Sequence, residues 1–288
     1  MPSAITHYLQ SGRVINKLVS DGININIDKD SFLWGAQGPD FLLSHRCLPF
    51  QKGESIKKIG AKIQDDNLEN LINYIKAFLY KNTPGELGLS YIMGFICHSV
   101  LDRIAFPFIS YGAENLSRIE KDIPKNICRN NIKSNLDVII LRYEKQMLTT
   151  EINLNSLLPN NDKVKDFMVT FFYDIIYNHY DSSITVGKII EAINDFKKFF
   201  ALMNDSTGKK KDFVKFLESF TNKGAFMSSY MRDVTEDDTY DYANISNSQW
   251  QWPEDTGEIH TDSFFDLYEE SIIDSSDLIK GLIVDYIS

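Results

Sequence analysis

Cysteine is scarce in this chain, and its arrangement suits neither a disulfide framework nor a thiolate metal site. The 288 residues include Cys47, Cys97 and Cys128. The three are odd in number, far apart in sequence and outside any C-x-x-C spacing. We therefore expect reduced thiols, as in a protein of the cytoplasm.

Positive charge is also in deficit. The chain has 30 Lys and Arg residues against 40 Asp and Glu residues, which gives a formal net charge of -10. Binding to the phosphate backbone of a nucleic acid requires a dominant basic patch, and the linear sequence shows none. Nucleic acid is therefore not an expected partner.

Long uninterrupted apolar runs are missing too. No stretch of the sequence has the length of continuous apolar residues that a membrane span requires. The first seven residues lack the basic and apolar regions of a secretory signal. These absences predict a cytoplasmic protein without a transmembrane segment, and the chain is long enough to bury a large core.

Helical periodicity dominates what is present, and no segment has the pattern of a strand. The predicted helices cover residues 3–21, 32–36, 55–81 with a break near 65, 85–107, 114 or 124 to 147, 164–179, 185–203, 212–231 and 262–287. The polar stretch 233–261 carries Trp250 and Trp252, which indicates an ordered strap over the helices. We predict an all-α fold.

The central predicted helix contains a histidine and a carboxylate among apolar residues. Residues 94–107 are apolar almost all round, so this helix is predicted to be buried, with Pro107 ending or kinking it. His98 and Asp102 are four residues apart and share one face. A buried carboxylate is costly unless it is paired or bound to a cation. The pair fits either a core hydrogen bond or part of a divalent-metal site, which needs three or four ligands.

A turn upstream holds a second candidate residue. Gly38 and Pro39 enforce a turn that places Asp40 at its end. Turns that project an acid often do chemistry, although the same residues are also common in ordinary surface turns. Asp40 is therefore a candidate site residue with an ordinary alternative.

Four stretches together resemble one known family. They are 4–8 (Ala-Ile-Thr-His-Tyr), 35–40 (Gly-Ala-Gln-Gly-Pro-Asp), 94–102 (Gly-Phe-Ile-Cys-His-Ser-Val-Leu-Asp) and the tail 250–265. In this order and spacing they are similar to the zinc-dependent phospholipase C family, the bacterial branch related to the helical phospholipases C and to the three-zinc S1/P1 nucleases. The resemblance implies a single multi-helix bundle over 1–288. Residues 1–158 would supply the ligand-bearing helices, and 159–288 the additional helices, the strap 233–261 and a C-terminal helix.

The same resemblance implies a set of zinc ligands: His7, Asp40, His98 and Asp102. In such enzymes Asp102 would be the bridging carboxylate, and Asp40 would lie near the attacking water, where it can also act as a catalytic base. The metals lower the pKa of a bound water and hold the oxygens of a phosphodiester. Zinc is the implied cofactor, with a site that is occupied in part or not at all, and a phosphodiester or phospholipid headgroup is the implied partner.

The chain departs from the family pattern in several places. A family histidine near the start of the second long helix falls among Ala61, Gln64 and Asp65. Phe106 stands where the family has a histidine, and Arg129 and Lys133 stand where it has a His and a Glu four apart on the next long helix. Permanent cations repel zinc and cannot ligate it. We therefore favour a degenerate member that binds and does not hydrolyse. Arg129 and Lys133 are then either cations in a dismantled metal site or part of an ordinary solvated helix face.

Two alternatives stay open. The first alternative to the degenerate member is an active metal-dependent phosphodiesterase or phospholipase C with a reduced metal cluster. The second is a purely structural helical interaction domain. His45, close behind Asp40, is a candidate replacement ligand because zinc favours imidazole. His179, near a predicted helix end, is expected to cap that end.

Overall fold

Helices account for nearly all the regular structure. The computed structural model describes residues 4–23, 25–48, 51–121, 123–220, 226–252 and 257–287. Within these ranges the one pairing of extended backbone is an isolated antiparallel bridge between Trp250 and His260, so the all-α prediction is confirmed. The α-helices in these ranges are α1 (Ala4–Ser20), α2 (Lys29–Ala36), α3 (Asp40–Leu43), α4 (Lys57–Gln64), α5 (Leu68–Asn82), α6 (Gly85–Ile119), α7 (Lys125–Lys145), α8 (Asp162–Asp174), α9 (Val186–Met203), α10 (Lys210–Glu218) and α11 (Phe264–Ile287).

Helix α6 forms the centre of the fold and packs against α1, α2, α7 and α11. Every residue from Tyr91 to Leu101 is buried. By length and mean hydropathy α6 is apolar enough to cross a membrane, although its sequence is not an uninterrupted apolar run. However, 72% of its apolar window is buried inside the fold, and the core helix of a soluble protein passes the same test. The burial of α6 is that of a core helix.

Two helix boundaries differ from the sequence-based prediction. Pro107 neither ends α6 nor separates it from a helix starting at residue 114, because α6 continues to Ile119. Burial of Phe108 and Ile109 just beyond the proline stabilises this continuation against the lost hydrogen bond. Helix α10 ends at Glu218 and does not reach residue 231, since short helices need a packed apolar face and α10 buries none of its residues.

Helices α2 and α6 cross in backbone contact because both carry glycine at the crossing. A Cβ on Gly35 would lie 2.1 Å from the carbonyl oxygen of Tyr91, and a Cβ on Gly94 would lie 2.4 Å from the carbonyl oxygen of Phe32. Real Cβ atoms do not approach backbone so closely. The glycines therefore allow the end of α2 to reach His98 on α6.

Helix α1 is anchored at its N-terminus by a buried carboxylate from α7. Asp137 accepts hydrogen bonds from the backbone N–H groups of Ile5 (3.3 Å) and Thr6 (2.8 Å) and from the Thr6 hydroxyl (2.8 Å). The guanidinium of Arg232 donates two more, at 2.8 and 2.5 Å. The first turn of a helix leaves N–H groups without intrahelical partners and favours an anion. This contact fixes the position of His7, one residue further along.

The predicted strap lies against the second half of α6. Trp250 and His260 exchange two backbone hydrogen bonds of 2.9 Å. Trp252 packs edge-on against Phe106, with ring centroids 5.4 Å apart. Both Trp side chains of the strap therefore contact α6.

Candidate metal site

Four side chains from α1, α3 and α6 meet in one place. Nε2 of His7 lies 3.1 Å from Oδ1 of Asp102, and Nε2 of His98 lies 3.3 Å from Oδ2 of Asp102. Nε2 of His98 is also 3.9 Å from Oδ1 of Asp40. The two imidazole rings stack, with centroids 4.1 Å apart. Asp102 is 26% exposed, while the other three side chains are at most 2% exposed, so the cluster meets solvent through Asp102.

The backbone around His98 fixes its tautomer. Nδ1 of His98 lies 3.2 Å from the carbonyl oxygen of Ala36. A carbonyl can only accept, so Nδ1 carries a proton and donates it, which leaves a lone pair on Nε2 of the neutral ring. Gly38 has φ +55°, and a Cβ there would lie 2.1 Å from Cδ2 of the His98 ring. Nε2 therefore points at two carboxylates, where it needs either a second proton or a cation.

Burial and neighbouring charge change the pKa values of the four groups in different directions. Burial, together with the charges of His98 and Lys133, lowers the pKa of His7 to about 4. Burial raises the pKa of Asp40 to about 6. Burial disfavours the charged forms of both His98 and Asp102. The attraction between the two groups outweighs this effect, so the pKa of His98 is raised and the pKa of Asp102 is held well below its usual value. The same attraction favours the charged forms of His98 and Asp102 as a pair.

Gln64, the last residue of α4, joins the two carboxylates. Its amide nitrogen donates to Oδ1 of Asp40 at 2.7 Å and to Oδ2 of Asp102 at 3.1 Å. An amide N–H pair thus supplies partial positive charge between two acids. The sequence placed Gln64 only among several positions where a family histidine falls, and no pattern in α4 distinguished it.

The donor set fits a divalent ion of the zinc type. In a tetrahedral zinc site, metal–ligand distances near 2.0–2.1 Å put neighbouring ligand atoms about 3.3 Å apart, close to the 3.1 and 3.3 Å measured here. Ligand atoms of His7, His98 and Asp102 all lie within 4.8 Å of one another. Nε2 of His98 and Oδ2 of Asp40 are buried without hydrogen-bond partners. The contact from Nδ1 of His98 to a backbone carbonyl is the usual outer contact of a metal-bound histidine.

The cluster opens through Asp102 into a cleft of about 1180 Å³, whose walls include Phe106, Arg129 and Lys133. The guanidinium of Arg129 lies 5.4 Å from the centroid of the Phe106 ring and donates a 3.5 Å hydrogen bond to the hydroxyl of Ser110. Its Nε is buried without a hydrogen-bond partner. Both cations of α7 are therefore half-buried in the cleft wall. The contacts of Arg129 are with Ser110 and Phe106 and not with the predicted ligands.

His45 belongs to a different cluster. Its Nδ1 accepts the backbone N–H of Ile56 at 3.1 Å, so the proton of the neutral ring is on Nε2, which faces Glu191 at 3.2 Å. The Glu191 carboxylate also accepts two hydrogen bonds from Arg46, at 3.0 and 3.1 Å. A protonated Nε2 has no lone pair for a metal. His45, Glu191 and Asp195 are close enough to hold an ion. However, these polar contacts favour a structural role, in which they hold the segment after α3 against α9.

His179 contacts a residue of the cleft wall. It lies in a π-helical turn, Ile175–His179, that continues α8. Its Nε2 is 2.8 Å from Oδ2 of Asp66, which lines the cleft and also accepts the hydroxyl of Tyr180 at 2.7 Å. His179 therefore makes a cross-contact to the cleft wall, where the sequence led us to expect a helix cap.

Fold and site together define an all-α protein with a buried imidazole–carboxylate cluster that opens into a wide cleft. No family model, curated protein or solved structure matches this chain.

Proposed function

We propose that this chain is a zinc-binding, phospholipase C-like protein that holds a phosphate-bearing ligand and does not hydrolyse it. The meeting of His7, His98 and Asp102 supports this proposal most directly, because two imidazoles and a carboxylate are ligands that zinc takes. Asp40 lies beside them and would supply the fourth donor, a carboxylate oxygen. The carbonyl of Ala36 orients His98 for such a role.

The positive charges in the cleft wall support a phosphate-bearing ligand. Arg129 and Lys133 line the wall next to Asp102, and a guanidinium binds phosphate oxygens through two parallel hydrogen bonds. Bound zinc supplies a further positive charge for the same oxygens. A phosphodiester or phospholipid headgroup fits a site of this polarity, in a protein that we place in the cytoplasm.

We infer the absence of hydrolysis from the side of the cleft that α6 and α7 form; Asp65, Asp66 and Glu69 line another part of it. Two-metal catalysis stabilises both the attacking and the leaving oxygen. On the side of the cleft beyond Asp102, the described residues place Phe106, Arg129 and Lys133, and none of these binds a second dication. Active hydrolysis with Asp40 as base is the alternative function. In a structural domain, by contrast, the His98–Asp102 pair would bind only a proton.

The first expected result is one zinc ion per chain in protein purified without chelators, measured by elemental analysis and by titration calorimetry of the metal-free protein. His98→Ala and Asp102→Ala should weaken zinc binding by more than about 100-fold, since loss of an outer-shell partner alone costs 10–100-fold.

Asp66→Asn is the matched control, because Asp66 belongs to the other His–Asp pair of the cleft, which has a single histidine. Its zinc affinity should equal that of the unmodified protein. Equal zinc uptake by His98→Ala and the unmodified protein, with both folded by circular dichroism, would contradict the metal site.

The second expected result is binding without turnover. Zinc-loaded protein should bind phosphocholine in calorimetry but leave phosphatidylcholine and bis(p-nitrophenyl) phosphate uncleaved. Arg129→Ala should weaken phosphocholine binding by about tenfold, the usual loss for one charge-assisted hydrogen bond.

Arg142→Ala serves as control, since Arg142 lies on the same helix, is exposed and pairs with Glu236 outside the cleft. Zinc-dependent cleavage of phosphatidylcholine that Asp102→Asn abolishes would establish the hydrolase alternative and overturn the binding-only proposal.

A further inference from the structure

Helix α10 presents an apolar stripe to solvent. None of its residues is buried. Phe213, Phe216 and Leu217 of α10 and Phe220, two residues beyond its end, follow one another at helical spacing. Their side chains are 60%, 58%, 49% and 74% exposed. The rings of Phe216 and Phe220 contact each other edge-on, with centroids 5.0 Å apart. A surface helix normally turns such a stripe towards the core, whereas this helix turns it away.

Polar contacts at both ends hold α10 in this orientation. Asp205 accepts the backbone N–H groups of Gly208 at 2.9 Å and Lys210 at 2.8 Å, which caps the start of the helix. The ammonium of Lys211 pairs with Asp233 at 2.5 Å. At the other end the carboxylate of Glu218 accepts the backbone N–H of Ser228 at 3.1 Å. The polar side of α10 is thus fastened to the protein, and the apolar side stays outside.

The positive charge beside the apolar stripe favours an anionic binding partner. Residues 209–215 contain four lysines and one aspartate, in a chain whose net charge is -10. Lys209 and Lys215 are exposed. A helix with Phe and Leu on one face and Lys beside them is typical of proteins that lie in the interface of anionic membranes. A basic segment of this kind is complementary to an anionic lipid surface.

We propose that α10, with the residues that flank it, docks this protein on an anionic lipid surface. Phe216 and Phe220 would insert at the level of the headgroups, and Lys209 and Lys215 would face the headgroup charges. The proposal is independent of the zinc site, since α10 contributes no residue to the cluster or to the cleft.

Flotation of the full chain with phosphatidylcholine vesicles, with and without phosphatidylserine, tests the proposal. The protein should float with vesicles that contain phosphatidylserine, and Phe216→Ser with Phe220→Ser should weaken this binding by more than about tenfold. Lys209→Glu with Lys215→Glu should remove the preference for phosphatidylserine. Binding should be unchanged when zinc is removed with a chelator, so this outcome is separable from failure of the metal site.

Tyr173→Ser with Tyr177→Ser is the matched control, because these two tyrosines of the α8 region are also exposed, 42% and 60%, and stack on each other. This variant should bind vesicles as the unmodified protein does. All six substituted positions are exposed, so thermal melting should show each variant folded. Equal flotation of the Phe216/Phe220 variant and the unmodified protein would overturn the proposal. The proposal would also be overturned if the unmodified protein did not float with vesicles. A dimer that the Phe216/Phe220 variant loses would then identify a second copy of the chain as the occupant of the stripe.

Discussion

Asp137→Ala is expected to lower the free energy of unfolding by about 3–5 kcal/mol, the range for removing one partner of a buried ion pair. Asp137 is fully buried and accepts every hydrogen bond described above from Ile5, Thr6 and Arg232. Its loss leaves a guanidinium and two helix N–H groups buried without an acceptor. Because the same contact holds the start of α1, the variant should also lose zinc affinity through His7.

Chemical denaturation with matched slopes measures this loss. Thr6→Val removes only one of the donors and should cost about 1 kcal/mol. Asp137→Ala combined with Arg232→Met should recover part of the stability, since it removes the unpaired cation as well. Asp137→Ala with an unchanged denaturation midpoint would contradict the anchoring role of this carboxylate.

Gly94→Ala should destabilise the protein by about 3 kcal/mol, at the upper end for an overfilled core. The added Cβ would meet the carbonyl oxygen of Phe32 at 2.4 Å and the backbone nitrogen of Ala36 at 2.7 Å. Backbone cannot rotate aside as a side chain can, so α2 must move away from α6. That movement also draws the Ala36 carbonyl away from His98, and we expect weaker zinc binding along with lower stability.

Gly12→Ala is the control for this substitution. Gly12 lies within α1, and a Cβ there would have nothing within 4 Å. Alanine in place of glycine inside a helix should raise stability by about 0.5–1 kcal/mol. If thermal melting showed Gly94→Ala as stable as Gly12→Ala, the close crossing of α2 and α6 would not determine the stability of the fold.

The part of the site that lies on one helix was accessible from the sequence. His98 and Asp102 share a face because residues four apart in an α-helix lie about one turn from each other. The apolar residues around them indicate burial. The turn before Asp40 could be identified because Gly38 permits a positive φ and Pro39 fixes its own φ. Joining His7 and Asp40 to this pair required the family resemblance, since residues far apart in sequence carry no local signal of contact.

Other features depend on tertiary packing and could not be predicted. Gln64 bridges two carboxylates because α4 happens to end beside them, and glutamine at a helix end has many other uses. Asp137 on α7 looks like an ordinary polar residue of an amphipathic helix until α1 is placed above it. Pro107 is a strong helix-breaking signal, and burial of the residues that follow it overrode that signal.

The anchoring of α1 by Asp137 and Arg232 also bears on the order of folding. Thr6 and Asp137 are 131 residues apart in the chain, and Asp137 and Arg232 are 95 residues apart. Closing such long loops is slow, and contacts of this kind form after local helices. During synthesis, α1 emerges from the ribosome before α7 and long before Arg232. Its N-terminal turn therefore has no acceptor until α7 is made, and the contact is complete only after Arg232 is made. The first described helix to be made is therefore among the last to reach its final position, and His7 completes the site only when most of the chain is present.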